Sequence, residues 1–428
     1  MDSISAVAAL ILAAIYSWTL YNLPSFLMGL ASWLHFHAQT RPVASTVAGE
    51  QPFVTIIVPT KNEEKVIGRL LEALAQINYP RDRFEIIVVE DGSTDRTQRI
   101  CEEIASCSSG NIGFYHRSES NGKPGALNFA LKHSKGEVVA VFDADSVPGR
   151  DAIANAIARF QDPSVVAVQG ITYSLNSRLN FLTRLVSYED QAWQMVYIAG
   201  KNALRMFVPF TGNCLFLRRR VLEQIGGWDE KSIAEDIELA ARLLQHGYGI
   251  SFDPRVEVHQ ESPSNVRTFF NQRTRWFRGY METAMKYGVL LLRPGLRNID
   301  AEITMAGSFM MTVSLVGYVI GLYSLLDLSR FSGGVFTLLG YSASCFTIVV
   351  LAGLAIATLA LQKPRRIRNL IWVPLIYCYW FLQAVIASRA FLQIALRRPR
   401  VWLKTEKTGV TTSGDVHKLG QKEAIPKN

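Results

Sequence analysis

Cysteine is scarce in this chain, and no group of cysteines has the spacing of a metal site. The 428 residues include five scattered cysteines, two of them inside apolar segments: Cys101, Cys107, Cys214, Cys345 and Cys378. Small secreted domains rely on dense disulfides, and zinc domains rely on closely spaced cysteine pairs. The scarcity therefore argues against both classes and predicts a reduced domain of the cytoplasmic type.

Charge is absent from the first long apolar stretch, which covers residues 4–36. A bilayer core takes about 20 helical residues, so this stretch is long enough to span it with surplus. The stretch also lacks the basic leading region and the small-residue cleavage site that mark a signal peptide. We therefore predict an uncleaved transmembrane anchor at residues 1–37.

Three further apolar segments follow late in the chain, at residues 302–326, 334–361 and 370–396. We assign residues 301–396 to a C-terminal transmembrane region and residues 397–428 to a basic tail of the cytoplasmic type. The chain is accordingly predicted to be a multi-pass protein of the cell membrane.

The side of the membrane on which that tail lies is left open. Basic loops stay on the cytoplasmic side, which places both 362–369 and the tail inside. Three full spans would forbid that arrangement. Because the last apolar segment contains Pro374 and Arg389, a re-entrant or interface-lying piece stays open beside a true span.

The net charge of +9 does not by itself indicate nucleic-acid binding. Much of the basic excess lies beside the apolar segments, where anionic lipid headgroups are the natural partner. We therefore expect a lipid bilayer as partner and no nucleic acid.

The middle of the chain, residues 50–260, alternates apolar strands with helices. Strands are predicted at 54–58, 85–90, 112–115, 138–142 and 214–218, with helices over 66–74, over 94–106, from Pro124 and from Ala234 to Gly247. This alternation is typical of an α/β fold with a doubly wound, mostly parallel sheet. Ligands of such sheets bind beyond the carboxyl ends of the strands.

Acids follow two of these strands. Asp143 and Asp145 come directly after 138–142, and oxygen ligands at this spacing suit Mg²⁺ or Mn²⁺, although turn aspartates are also common in loops. Asp91 follows 85–90 and can accept hydrogen bonds from a base or a ribose, or simply form a turn.

Other polar motifs lie at helix starts and near strands. Lys123 precedes a helix N-terminus, which favours a phosphate, although a solvated lysine is the alternative. Glu235 and Asp236 open a helix, where acids commonly serve as caps, but an acid at the mouth of a site can also take a proton from a hydroxyl. Thr211 and Gly212 precede a strand and can line an acceptor pocket.

Two segments are predicted to lie at the membrane interface. Residues 181–207 have an amphipathic pattern, for which an ordinary surface helix is the alternative reading. Residues 261–300 contain a helix that places Gln272, Arg275 and Trp276 at i, i+3 and i+4 on one face. An amide, a guanidinium and an indole on one face can hold an anion and a flat ring together.

The motifs taken together resemble those of membrane-embedded family 2 glycosyltransferases, the group of hyaluronan, chitin, cellulose and poly-N-acetylglucosamine synthases. The motifs, in order, are VEDGSTD (89–95), FDAD (142–145), TGN (211–213), AED (234–236) and QRTRW (272–276). The resemblance implies a GT-A fold on the cytoplasmic side and inverting transfer from a UDP-sugar.

The resemblance also implies a role for each matching residue. Donor binding would fall to Thr60, Glu63, Asp91, Lys123, Asp143, Gln272 and Arg275. Asp145 and Asp143 would bind Mg²⁺ or Mn²⁺, and Asp236, beside Glu235, would be the catalytic base. Trp276, Thr211 and Gly212 would contact the acceptor.

Three function classes remain open from the sequence. The first is a processive polysaccharide synthase, with export by an accessory subunit or an oligomer left open. The second is an enzyme that adds a single sugar to a lipid acceptor. The third is an inactive sugar-nucleotide-binding regulator, which the presence of every expected acid argues against.

Overall fold

The computed structural model describes residues 3–38, 51–107, 111–326, 349, 352–353, 355, 367–400 and 404–409. The chain divides into two compact units. The sheet unit contains His37–Asp190, Phe207–Phe269 and Trp402–Asn428, and the helical unit contains Met1–Phe36, Gln191–Met206 and Phe270–Val401.

The sheet unit is organised around eight strands in the order β3-β2-β1-β4-β7-β6-β8-β5. The strands are β1 (Val54–Thr60), β2 (Phe84–Asp91), β3 (Ile112–Arg117), β4 (Val138–Val141), β5 (Val147–Pro148), β6 (Ala167–Ser174), β7 (Leu215–Arg218) and β8 (Ile250–Gln260). Strands β1 to β4 pair in parallel, as do β6 and β8. The doubly wound, mostly parallel sheet predicted from the sequence is confirmed, with β7 antiparallel to both neighbours.

The helices, in chain order, are α1 (Ser3–Ala38), α2 (Ile67–Leu74), α3 (Thr97–Cys107), α4 (Gly122–His133), α5 (Ala152–Arg159), α6 (Phe181–Ala192), α7 (Ala199–Ala203), α8 (Arg219–Gln224), α9 (Glu235–Gln245), α10 (Val266–Tyr287), α11 (Leu296–Met305), α12 (Gly307–Leu326) and α13 (Trp372–Ala395). A π-helical turn, Trp193–Ile198, joins α6 to α7. Short 3₁₀ turns occupy Arg81–Arg83, Gly288–Leu292 and Ile367–Ile371.

The core of the sheet unit lies where helices cover the central strands. Every residue of β1 is buried, and its Ile56 and Val58 pack in one cluster with Leu70 of α2 and Phe142 after β4. A strand that is covered on both faces has a continuous apolar sequence rather than alternating polar and apolar residues. The central strands could therefore be predicted well from the sequence.

The antiparallel strand β7 determines which loops meet. Val141 at the end of β4 pairs with Leu215 at the start of β7, so the residues before β7 lie beside those that follow β4. Strand β6 is antiparallel to β7, and β8 is parallel to β6. The carboxyl end of β8 therefore lies at the same edge of the sheet as the carboxyl end of β4. This edge therefore collects the ends of β1, β2, β4 and β8 and the beginning of β7.

The helical unit contains two helices that are long and apolar enough to cross a membrane, Ala6–Leu34 and Asn369–Ala395, among the described residues. A third candidate is the pair Leu296–Met305 and Gly307–Val319, if its 52° bend lies within one span. The apolar segment predicted at 334–361 lies almost wholly outside the described residues.

Polar side chains connect distant segments inside the helical unit. Lys201 of α7 is fully buried, and its Nζ lies 2.5 Å from Asp300 Oδ1 and 2.8 Å from Thr304 Oγ1 of α11. The Tyr21 hydroxyl of α1 donates to the same Asp300 oxygen over 2.9 Å. One buried ion pair thus links three segments that are far apart in sequence.

Candidate active site at the carboxyl edge of the sheet

Asp143 and Asp145 lie side by side after β4. The amide of Gln260, at the end of β8, donates to Asp145 Oδ1 over 3.1 Å and to Asp143 Oδ2 over 3.3 Å. Asn213 Oδ1 accepts from the Asp143 N–H and from the Ser146 hydroxyl over 3.1 and 3.0 Å. The Gln260 amide therefore holds both carboxylates, and the Asn213 amide holds the backbone turn that carries them.

Lys123 lies in the first turn of α4 and pairs with Asp143. Its Nζ is 2.7 Å from Asp143 Oδ1, 2.7 Å from the Gly212 carbonyl and 3.2 Å from Glu235 Oε1. Burial favours the neutral amine, but the charges of Asp143 and Glu235 outweigh it and raise the pKa of Lys123. The ammonium is therefore charged at neutral pH, as a phosphate-binding lysine must be.

Asp236 follows Glu235 in the first turn of α9 and lies against Gly212. A Cβ at Gly212 would come within 3.1 Å of Asp236 Oδ2, and the glycine has a φ of +79° that other residues rarely adopt. Glycine is thus required here by backbone conformation and by the nearby carboxylate. The structure brings the predicted base and the predicted acceptor loop together.

Thr60 and Asp91 are the last residues of β1 and β2, and Glu63 lies three residues after β1. Asp91 accepts from the Ser120 hydroxyl over 2.5 Å and lies 3.1 Å from the Arg117 guanidinium. Burial, then the charge of Asp145, raises the pKa of Glu63 to about 7. All three lie at the edge that holds the aspartate pair, as predicted, and their contacts with a nucleotide stay a prediction.

The donor atoms at Asp143 and Asp145 fit a divalent cation that completes its coordination with ligand oxygens. No group of three or more His, Cys, Asp or Glu side chains with metal-site geometry occurs in the described part of the chain. The two carboxylates would hold Mg²⁺ or Mn²⁺ and leave positions for diphosphate and water, the usual mode for Mg²⁺. An ammonium already lies 2.6 Å from Asp145 Oδ2, which shows that this position attracts a cation.

Several residues that organise this edge were missed or left without a role in the sequence analysis. Gln169 is fully buried, accepts from the Thr211 N–H over 3.0 Å and donates to the Asn213 carbonyl over 2.9 Å. Gln260 is the last residue of β8. If β8 had been predicted, the search for polar residues at the ends of strands would have identified Gln260. The ammonium beside Asp145 belongs to Lys407, for which no local sequence signal exists.

Gln272, Arg275 and Trp276 lie on α10 in the helical unit. The helix predicted within residues 261–300 is confirmed as Val266–Tyr287. The Arg273 guanidinium stacks on the Trp276 ring, 4.3 Å from its centroid. Arginine over an indole is a favourable arrangement that fixes both groups. Their participation in sugar transfer stays a prediction.

Comparison with known proteins agrees with this geometry. The model of the family described as glycosyltransferase like family 2 matches residues 51–279, more than half of the chain. Beta-monoglucosyldiacylglycerol synthase of Nostoc sp. is 32% identical over 299 residues, 67% of this chain and 64% of that protein. Probable glycosyltransferase YdaM of Bacillus subtilis is 34% identical over 245 residues, 56% of this chain and 57% of that protein. The chain thus covers less than two thirds of the length of these relatives.

A solved structure supports the fold. The mannosyltransferase PcManGT from Pyrobaculum calidifontis, in complex with GDP-Man and Mn²⁺, superimposes with a TM-score of 0.64 at 22% identity, covering 92% of this chain and all of that one. The GT-A fold implied by the motifs is therefore confirmed, and the chain belongs to glycosyltransferase-like family 2.

Proposed function

We propose that this protein transfers a single hexose or N-acetylhexosamine from a UDP-sugar to a lipid acceptor at a membrane, with inversion at the anomeric carbon. The observation that carries the proposal is the convergence of Lys123, Asp143, Glu235 and Asp236 beside Asp145 at one sheet edge. Nucleotide sugars are cytoplasmic metabolites, so the sheet unit is assigned to the cytoplasmic side and the apolar helices to the membrane.

The leaving group is the first requirement of this chemistry. Breaking the bond between the sugar and the diphosphate leaves an additional negative charge on UDP. Lys123 would neutralise part of it as a charged donor fixed by Asp143 and Glu235. A divalent cation bound at Asp145 and Asp143 would supply Lewis-acid stabilisation of the same charge.

The attacking hydroxyl is the second requirement. Asp236 would accept its proton as the acceptor oxygen bonds to the anomeric carbon and the bond to UDP breaks on the opposite face. Glu235 is the weaker candidate for this role because one of its oxygens is already paired with Lys123 at 3.2 Å. One displacement of this kind inverts the anomeric centre.

The lipid acceptor is supported by two observations. The Nostoc relative is named for the synthesis of a glucosyldiacylglycerol, a glycolipid. The helical unit presents strongly exposed apolar side chains next to arginines, among them Leu292 and Leu296 near Arg293, as expected of a segment at a bilayer surface. A membrane-anchored enzyme would meet such an acceptor at the bilayer surface.

Processive polysaccharide synthesis is the second candidate. It is favoured by the QRTRW sequence at 272–276, which resembles that of polymer-forming synthases, although ceramide glucosylating enzymes have a related pattern. An accessory subunit or an oligomer for export belongs to this candidate alone. Multi-pass insertion of the chain stays a prediction under both.

The test is product sizing with radiolabelled donors. Purified protein in mixed micelles with diacylglycerol and Mn²⁺ or Mg²⁺ is supplied in turn with UDP-glucose, UDP-N-acetylglucosamine, UDP-galactose and UDP-glucuronate. We expect a single product that partitions into organic solvent. A ladder of water-soluble chains would replace the lipid acceptor with polymer synthesis. No UDP release from any donor would indicate the inactive nucleotide-binding regulator instead.

A further inference from the structure

Asn128 of α4 holds the backbone of the 225–234 loop, which connects α8 to α9. Its Nδ2 donates to the Trp228 carbonyl over 2.8 Å, and its Oδ1 accepts from the Trp228 N–H over 2.8 Å. Nδ2 also donates to Glu230 Oε1 over 3.0 Å. One amide side chain therefore satisfies both main-chain groups of a residue that lies 100 positions later in the chain.

The loop backbone fits closely around the Asn128 amide. Trp228 is 3% exposed, so its hydrogen bonds to Asn128 are shielded from water. Gly227 has a φ of +71°, and a Cβ at this position would come within 2.4 Å of Asn128 Oδ1. Glycine is therefore required here both by the backbone conformation and by the amide that the loop contacts.

Further hydrogen bonds connect this part of the loop to α9. Arg242 of α9 donates to the Gly227 carbonyl over 2.7 Å. Closer to the start of the helix, the Ser232 N–H donates to the Asp229 carbonyl over 3.0 Å, and the Ala234 N–H donates to the Ser232 hydroxyl over 3.2 Å. The loop is thus braced up to the first residue of α9, so a displacement at its beginning is passed on to that helix.

The helix that carries Asn128 also carries Lys123, in its first turn. The two residues are five positions apart, which corresponds to about 7.5 Å along the helix axis. Lys123 Nζ lies 3.2 Å from Glu235 Oε1, the residue before Asp236. Helix α4 thus contacts the α9 side of the site at two separate places. A single ion pair can act as a pivot, whereas two separate contacts fix both the distance and the angle.

We propose that Asn128 is a positioning residue for sugar transfer, which sets the distance between Lys123 on the leaving-group side and Asp236 on the side of the attacking hydroxyl. Asn128 acts through the loop backbone and is assigned no contact with donor or acceptor. This inference rests on the proposed function. The two charged groups act on opposite faces of one carbon, so a misplacement of about 1 Å between them can cost on the order of 100-fold in rate.

The test uses a nearly isosteric substitution. Asn128→Asp keeps the oxygen that accepts from the Trp228 N–H, but it places a carboxylate against the Trp228 carbonyl and against Glu230. Adding Glu230→Gln removes the repulsion between the two acids and supplies an amide donor. Asn128→Ala removes the amide without adding a charge. The matched control is Asn155→Asp, because Asn155 of α5 donates in the same way to the Arg255 carbonyl, over 2.9 Å.

The first measurement is steady-state kinetics of the full-length protein in mixed micelles, with the UDP-sugar that the donor screen selects. We expect kcat to fall roughly 100-fold in Asn128→Asp and in Asn128→Ala, while KM for the donor stays close to that of the wild type. Asn128→Asp with Glu230→Gln should recover part of the lost kcat. Asn155→Asp should keep the wild-type kcat, because its hydrogen bond does not connect α4 to α9.

The second measurement is hydrogen exchange of the same full-length variants without any ligand, followed by mass spectrometry. In Asn128→Asp and Asn128→Ala, the amides of residues 228–238 should exchange faster, while peptides from β1 keep their wild-type protection. In Asn155→Asp, any change should be confined to α5 and β8. This readout follows the position of the loop and requires no sugar transfer.

Several results would overturn the inference. Among them are wild-type kcat in both Asn128 variants, a loss that appears in KM alone, and an equal loss of kcat in Asn155→Asp. Unchanged exchange at residues 228–238 in the Asn128 variants would also refute it. Failure of the proposed function has a different signature. A wild-type protein that transfers no sugar, with exchange that still responds to Asn128, would refute the activity and leave Asn128 as the residue that holds α4 and α9 in place.

Discussion

Single residues at the sheet edge divide into those that we propose to contact ligands and those that position other residues. Asp145, Lys123 and Asp236 present charge to the site, whereas Asn213, Gln169 and Gln260 hold backbone and carboxylates in place. The first group is recognisable in sequence because its chemistry is charged. The second group consists of amides whose contribution depends on the groups to which they hydrogen-bond. Only the folded chain shows which groups those are.

The role of Asp236 predicts a large and selective loss of activity. Asp236→Asn keeps the shape of the side chain but removes the proton acceptor, so the transfer rate should fall by about 100-fold to 10,000-fold. UDP binding, measured by calorimetry, should stay close to that of the wild type. A mutant that keeps wild-type turnover would exclude Asp236 as the base.

Asn213 is predicted to matter for both stability and metal affinity. Its Oδ1 serves three donors, the N–H groups of Asp143 and Cys214 and the hydroxyl of Ser146. Asn213→Ala leaves buried donors unpaired, at a cost of about 1–3 kcal/mol for such a group, and frees the loop that carries both aspartates. We expect a lower melting temperature and weaker Mn²⁺ binding, measured by differential scanning fluorimetry and paramagnetic resonance. Unchanged Mn²⁺ affinity would show that the loop holds its geometry without this amide.

At the scale of elements, the sheet depends on close backbone approach where β6 passes between β7 and β8. The pairing of β6 with β8 shifts register between Gln169 and Ile171. Gly170 lies at this irregularity, and a Cβ there would come within 2.3 Å of the Val256 carbonyl oxygen and 2.5 Å of Cys214 Sγ. Both neighbours belong to the packed core and have no room to move.

Gly170→Ala is therefore predicted to destabilise the sheet unit. Adding a methyl group to a filled core lowers stability by about 1–3 kcal/mol. Because the nearest atom here belongs to the backbone, we expect a loss near the upper end of that range. Gly113→Ala in β3 is the matched control, since a Cβ there meets no atom closer than 3.4 Å. Thermal unfolding should separate the two variants clearly. Equal melting temperatures would mean that β6 shifts to accept the methyl group.

The sequence predicted the parallel half of the sheet closely and the rest poorly. Strands β1 to β4 and β7, together with α2, α3, α4 and α9, agree with the expected ranges to within a few residues, and α10 lies within the predicted segment 261–300. Strands β5, β6 and β8 were not assigned. Tyr173 and His259 lie in β6 and β8, where polar and apolar residues mix because the faces are unequally covered. Periodicity alone does not identify such strands.

At the scale of the whole molecule, the basic tail differs most from expectation. Its charge predicted contact with lipid headgroups, yet Lys404 and Lys407 pair with Glu63 and Asp145 of the sheet unit. Composition gives the sign of a charge but not the partner, which here lies hundreds of residues away in sequence. For the same reason, the sequence did not predict which helices form the helical unit, because its described helices come from three separate stretches of the chain.

The Lys201–Asp300 pair provides the test of that assembly. Lys201→Met leaves the buried Asp300 carboxylate with the Tyr21 hydroxyl as a donor and without its counter-ion, while the Thr304 hydroxyl donates to the Asp300 backbone carbonyl. Breaking a buried pair in this way costs about 3–5 kcal/mol, whereas replacing both members by apolar residues of similar volume is often neutral. We expect Lys201→Met to lower the thermal stability of the detergent-solubilised protein and Lys201→Met with Asp300→Leu to recover most of it. If the double variant is as unstable as the single one, the pair holds α1, α7 and α11 together through hydrogen bonds that apolar packing does not replace.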